Sequence, residues 1–271
     1  MPSDKLKRGA RTGVAVWDEV EIPQRRCALW RFSPRSIWVE RVANEWHALA
    51  LPDGGGRDEA AFVDRTQKPE SSQWRHYLHT VNAPVRPTPV LPDRPVVVRP
   101  DRALTLLPGE TAQFFVEIPV WFRLSCADDR RTRIFEEPIC MLSQTWFGDP
   151  ITGELCYGLA TRLHQGLDSI EPSAHLAVCP LAITNDSETD LAFEKICMHV
   201  ENLSVFRGPR RLWTNRLNVV FKGPEQATQI EIVREAPEFE QGLALAAAAR
   251  QPSAGWNIRR TFGMLRSFAD I

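Results

Sequence analysis

The sequence predicts an all-β protein, built from antiparallel β-sandwiches, with a short helical region at its C-terminal end. Two observations carry this expectation. The 271 residues include 21 prolines against 15 glycines, a content that interrupts helices and favours short extended segments joined by rigid turns. Apolar runs of strand length also recur at intervals of roughly 8–12 residues with turn residues between them, the pattern of an antiparallel sandwich. Apolar residues make up 43% of the chain and charged residues 25%, enough for a substantial core.

Residues 1–12 are polar and basic, expected as a disordered tail, and carry no apolar stretch of the secretory type. Residues 13–82 read as an N-terminal β-rich region. TGVAVWDEVEI alternates apolar and polar positions, and strands are expected over Cys27–Phe32, Ser36–Val42 and Glu45–Leu51. Trp30, Trp38 and Trp46 fall one to a strand at equal spacing, which fits a stacked aromatic core better than a ligand cage. Pro52–Ser72, with its glycine run, reads as a loop. In Trp74–His79, His76 and His79 would share a face of a short helix, a spacing too common to indicate a metal.

Residues 83–101 carry a proline every few positions and are expected to form an extended connector between the two halves. Residues 102–236 form the expected β-sandwich domain. Its strands are Arg102–Leu107, Ala112–Leu124 bent at Pro119, Cys179–Ile183, Leu191–Met198, Leu203–Phe206, Leu212–Phe221 and Thr228–Val233. Residues 237–271 read as a helical segment, with an alanine-rich run at 242–250 and an amphipathic stretch at 256–269. Trp256, Phe262, Leu265 and Phe268 on that stretch are candidates for docking a partner, although packing on the protein itself is the favoured use of its apolar stripe.

A formal net charge of −1 argues against a general nucleic-acid binder. No apolar run reaches the roughly 18 residues needed to cross a bilayer. The six cysteines are scattered without a C-x-x-C pair, which favours a cytoplasmic protein with reduced, buried thiols over a zinc protein. Nucleotide, zinc-protease and serine-hydrolase motifs do not occur, so no catalytic residue, cofactor or metal is assigned.

Three constellations could still bind a ligand. The segment Leu142–Tyr157 combines Thr145, Trp146, Glu154, Cys156 and Tyr157. Asp93 beside Arg94 could hold an anion through the guanidinium fork, although an internal bridge is the favoured reading. Arg211 and Trp213 could take an anionic or ring-bearing ligand, against the favoured reading of a hairpin tip with a core indole. Trp146 and Phe147 are expected to be buried, with Gly148 in a conformation that a side chain would obstruct.

PDRPVVVRP, LPGETAQFFVEIPVWFRL, LSQTWFGDPITGELCYGLATRL, PLAITNDS and RLWTN, in this order, resemble the prokaryotic family known as domain of unknown function 432. The resemblance runs from about Trp30 to Val233 and is most specific in TWFG, GELCY and LWT. It supplies no catalytic residues. It implies a partner near membranes, since members are sometimes encoded beside small mechanosensitive channels. The resulting expectation is a non-catalytic cytoplasmic binding or accessory protein that acts through a protein partner or self-association, a membrane channel among the candidates. The alternative is an enzyme or small-molecule sensor with a pocket around the TWFG and GELCY segments.

Overall fold

The computed structural model describes residues 11–24, 26–53, 58–78, 84–128, 132–148, 151, 153–251, 256–258 and 262–264, the last two segments by backbone alone. These residues form four sheets, mostly antiparallel. The expected tail lies outside them except for Arg11–Thr12.

The first sheet contains β1 (Arg11–Thr12), β2 (Arg26–Phe32), β3 (Arg35–Val42), β4 (Glu45–Pro52), β5 (Glu59–Asp64) and β6 (Arg75–Leu78), ordered β1-β5-β2-β3-β4-β6. Three strands fall where the β-like runs between turn residues placed them. Trp30 pairs with Ile37, and Trp46 with Arg41, so these two indoles share the buried face. Trp38 pairs with Leu29 and Leu49 and faces the other way. Each two-residue turn pairs an even-numbered residue with an odd one, so equal even spacing flips the side chain from one strand to the next. The three indoles therefore do not form the expected stack, and only Trp30 and Trp46 share the buried face.

Other expectations for this region are corrected. Gly13–Trp17 is a 3-10 turn; it drops Val16 and Trp17 into the core, where the Trp17 indole N–H donates to the Ala174 carbonyl at 2.9 Å. The expected loop Pro52–Ser72 contains β5, which pairs with β2. His76 stands on a strand, not a helix, because the open edge of β4 offers main-chain hydrogen bonds that a four-residue helix could not match; His79 lies outside the described residues.

The proline-rich stretch carries β7 (Val85–Val90) and β8 (Val96–Arg99). Pro87 and Pro89 are tolerated because β7 is an edge strand. β9 (Leu104–Leu106) and β10 (Thr111–Pro119) follow, and at Pro119 the chain bends and changes sheet: β11 (Trp121–Cys126) joins β7 and β12 (Arg133–Pro138). β13 (Ser143–Phe147) and β14 (Glu154–Ala160) form a hairpin, and β15 (Leu163–His164) pairs with β10.

β16 (Leu176–Asn185), β17 (Leu191–Met198), β18 (Val205–Arg207), β19 (Leu212–Thr214), β20 (Leu217–Phe221) and β21 (Thr228–Ile232) complete the middle of the chain. The tail differs from its expectation. Residues 242–250 contain β22 (Ala244–Ala247), paired with β18. The stretch 256–269 contains β23 (Trp256–Ile258), paired with β21, and β24 (Phe262–Met264), paired with β17. Pro237 and Pro252 confine the alanine run to a length at which an isolated helix is marginal, and open sheet edges satisfy the backbone instead. Leu265 and Phe268 lie outside the described residues.

The second six-stranded sheet is ordered β13-β14-β8-β17-β24, with β9 beside β17, and the largest sheet is ordered β22-β18-β19-β16-β20-β21-β23, with β10 against β16. Three pairings are parallel: β14 with β8, and β16 with β19 and with β20. One continuous core joins all four sheets, from Trp30 and Phe32 through Phe122 to Val98, Leu181 and Ile196. The Trp30 and Phe122 rings lie 5.2 Å apart, which locks the first sheet onto β11.

Candidate functional site

The β13–β14 hairpin organises the region singled out by its chemistry. Its register pairs Thr145 with Cys156 and Phe147 with Glu154, placing these four on one face; Trp146, Leu155 and Tyr157 are on the other. Gly148 has φ +100°, and a Cβ there would stand 3.0 Å from the Gly153 Cα, so the turn requires glycine. Phe147 is buried against Val97, Cys156 and Cys197. Trp146, expected to be buried, is 45% exposed. It faces the same side as Tyr157, but on the outermost strand, where the core has already ended.

The sheet divides the ligand candidates. On the inner side the Tyr157 hydroxyl donates to Asp93 at 2.9 Å, and the Arg94 guanidinium lies 5.8 Å from the Tyr157 ring centre. Trp121 packs 6.2 Å from Tyr157, and Arg250 lies over Trp121 while donating to the Leu91 carbonyl at 2.6 Å. Burial, then the bond to Asp93, pushes the Tyr157 phenol above its ordinary range. Thr145 and Glu154 are on the far side of the sheet, where Thr145 accepts from Arg99 at 3.3 Å.

Arg211 and Trp213 belong to the large sheet, away from this hairpin. Trp213 is buried and donates to Glu240 at 2.7 Å; Glu240 also accepts from the Arg210 amide at 2.7 Å. Gly208 permits this packing, since a Cβ there would meet the Glu240 carboxylate at 2.7 Å. Arg211 is buried with its guanidinium 5.8 Å from the Trp213 ring centre.

Three clusters were not assembled by sequence, although Glu154 and Cys156 of the first were singled out there. Cys156 and Cys197 bring their sulfurs to 3.9 Å, both reduced, with Glu154 alongside. His199 Nε2 is 3.6 Å from Glu154, and its Nδ1 is 3.1 Å from Glu201. Burial would depress the His199 imidazole, but the Glu201 bond and the Glu154 charge raise it overall. The Cys197 thiol donates to Cys156, favouring the thiolate on Cys156 and holding Cys197 protonated. Burial pushes the Glu154 carboxyl up.

On the outer face of the first sheet, buried Glu40 accepts from Arg65 at 2.7 Å and Lys68 at 2.6 Å. Against burial, these two bonds hold its carboxyl below the usual range. Beside it Glu45, His47 and His76 form a second group of metal-ligating type, with the two imidazoles stacked at 3.9 Å. The third cluster joins Asp58, Ser173 and His175. The Asp58 carboxylate and the Ser173 hydroxyl both reach the same nitrogen, Nδ1, at 2.9 Å and 3.0 Å. Nucleophile activation needs the hydroxyl on one ring nitrogen and the carboxylate on the other, so this cluster anchors the start of β16.

The signals for the cysteine–histidine cluster were donors at alternate positions: E-x-C at 154–156 and C-x-H-x-E at 197–201. They converge because β14 and β17 both flank β8, and the parallel β14–β8 pairing joins segments far apart in the chain.

Among the described residues no helix is long and apolar enough to cross a membrane. Neither a curated protein nor a solved structure matches the chain. The family model described as protein of unknown function (DUF432) matches residues 16–266, nearly the whole length, and the chain belongs to that family.

Proposed function

We propose that the protein is a non-catalytic binding protein of the cytoplasm that captures an extended segment of a protein partner along the open edge of β13. The observation that carries this reading is the composition of that edge. Among the described residues β13 ends its sheet, and it bears no charge in its sequence SQTWF, while Trp146 is 45%, Met141 74% and Ile151 92% exposed around it. Exposed, uncharged strand edges are templates for a further strand and are normally blunted.

Other edges with described side chains are blunted or, like the three-residue β9 (Leu104–Leu106), too short to template much of a strand. β6 carries Arg75 and His76, β7 carries Pro87 and Pro89, β12 carries Arg133, Glu136 and Glu137, and β1 and β15 have two residues each. β22, though uncharged, lies against β7.

The ladder geometry identifies the groups that would bind. The Tyr157 amide donates to Pro95 on the β8 side, so its antiparallel partner Gln144 has its own N–H and C=O directed away from β14. Trp146, two residues on, is oriented likewise. A partner strand would bond to Gln144 and run alongside the exposed Trp146 indole. A soluble extended segment of a membrane channel is one partner of this kind. Replacing Gln144 by Pro removes an outward N–H without removing a β13–β14 bond. The expected result is a folded variant that no longer captures the partner bound by the wild type in a native-host pull-down; equal capture by the variant would contradict the reading.

A further inference from the structure

We propose that Cys156, Cys197, His199 and Glu154 form a zinc site on the outward face of the second six-stranded sheet, with Glu201 orienting the imidazole. It is independent of the docking edge.

Two strands that flank β8 each supply donors at alternate positions, so that they share a face: Glu154 and Cys156 on β14, Cys197 at the end of β17 and His199 just beyond it. The two sulfurs are 3.9 Å apart, close to the ~3.8 Å edge of a tetrahedron with Zn–S bonds of about 2.3 Å. The donor atoms of Glu154, Cys156 and Cys197 all lie within 4.8 Å of one another; His199 Nε2 is 3.6 Å from Glu154 but outside that mutual group, so its ring must move toward the sulfurs to complete a tetrahedron.

The imidazole is set up as a ligand. Glu201 is buried and accepts from His199 Nδ1, so in the neutral ring Nε2 keeps its lone pair and directs it at Glu154. A carboxylate on the far nitrogen is the usual support of a zinc-bound imidazole. The other Glu201 oxygen is buried without a hydrogen bond among the described residues. Two thiols, an imidazole and two carboxylates thus crowd a face whose remaining lining is Val97 and Phe147, with the Lys195 ammonium 5.7 Å from the Phe147 ring centre. Anionic donors in such surroundings are stabilised by a bound cation.

The donor set selects the ion. Two sulfurs, a nitrogen and a carboxylate oxygen suit zinc, whereas magnesium and calcium prefer oxygen alone. Glu154 is the most exposed of the four, its side chain 48% accessible, and is therefore the displaceable ligand. The group Glu45, His47 and His76 is a weaker candidate, since it offers no thiolate and its rings stack face to face.

The test uses the full chain, reduced and stripped with a chelator, titrated with Co2+ as a spectroscopic substitute and then with Zn2+. We expect one equivalent of Co2+ with a thiolate-to-cobalt charge-transfer band, displaced by Zn2+. Cys156→Ser and Cys197→Ser should each abolish the band, His199→Ala should weaken binding at least tenfold, and Glu201→Gln should weaken it roughly 10- to 100-fold. Cys179→Ser, altering a buried thiol of the large sheet, should leave the band intact. The wild-type spectrum decides the matter even where a variant fails to fold. No uptake, uptake without the charge-transfer band, or loss of the band in a Cys179→Ser protein that keeps the wild-type circular dichroism would each overturn the site. So would a Cys156–Cys197 disulfide in freshly isolated protein whose reduced form binds no metal.

Discussion

Single residues here are governed by which side of a sheet they face and how far from its edge they stand. Trp213 and Trp146 show the contrast. The first is buried with its N–H on Glu240, and the second is half exposed on an edge strand. Trp213→Ala should destabilise by about 3–5 kcal/mol, as large-to-small core changes do, whereas Trp146→Ala should cost about 1 kcal/mol or less. Urea unfolding of both variants checks the ranking. Glu40 gives a pH prediction. Its carboxyl is held below the usual range, so the ion pairs contribute fully above the ordinary carboxylate value, and the contribution is lost as pH falls through the lowered one. Glu40→Gln should therefore cost roughly 2–3 kcal/mol at neutral pH, below the range for a fully buried pair because Arg65 and Lys68 are part-exposed. The loss should shrink in acid, as followed by denaturant unfolding across pH.

At the scale of elements, the turn after β13 and its open edge can be separated by mutation. Gly148→Ala forces a side chain into a positive-φ position against Gly153 and should destabilise by about 1–3 kcal/mol. Gln144→Pro should change stability by less than about 1 kcal/mol while abolishing partner capture. Thermal melts of the two variants make the comparison. Much of this level was legible in the sequence. Short β-like runs bounded by turn residues marked β2, β3, β4 and β17, and Pro119 marked the bend between β10 and β11. The tail was not legible, because its alanines and amphipathic spacing favour helix locally while open edges of β18, β21 and β17 decide the outcome. The cysteine–histidine cluster was invisible for a related reason: E-x-C and C-x-H-x-E are ordinary strings until the parallel β14–β8 pairing brings them to one face.

For the whole molecule, the shared core outweighs the apparent division into halves. Trp30 and Trp46 of the first sheet belong to the same buried cluster as Leu181 and Val219 of the largest sheet. Unfolding should thus be cooperative, with tryptophan fluorescence and far-ultraviolet circular dichroism melting together; two separated transitions would show independent halves.

The open β13 edge is the centre of the account, and its most direct test is site-specific photocrosslinking in the native host. A photoreactive residue at position 146 should form an adduct with a protein other than this chain, and the adduct should disappear when Gln144→Pro is added. The same probe at Leu78, exposed on the charged β6 edge, should not form it. Adducts of equal yield at both positions, adducts only with a second copy of this chain, or an adduct insensitive to Gln144→Pro would contradict capture of a partner strand along β13.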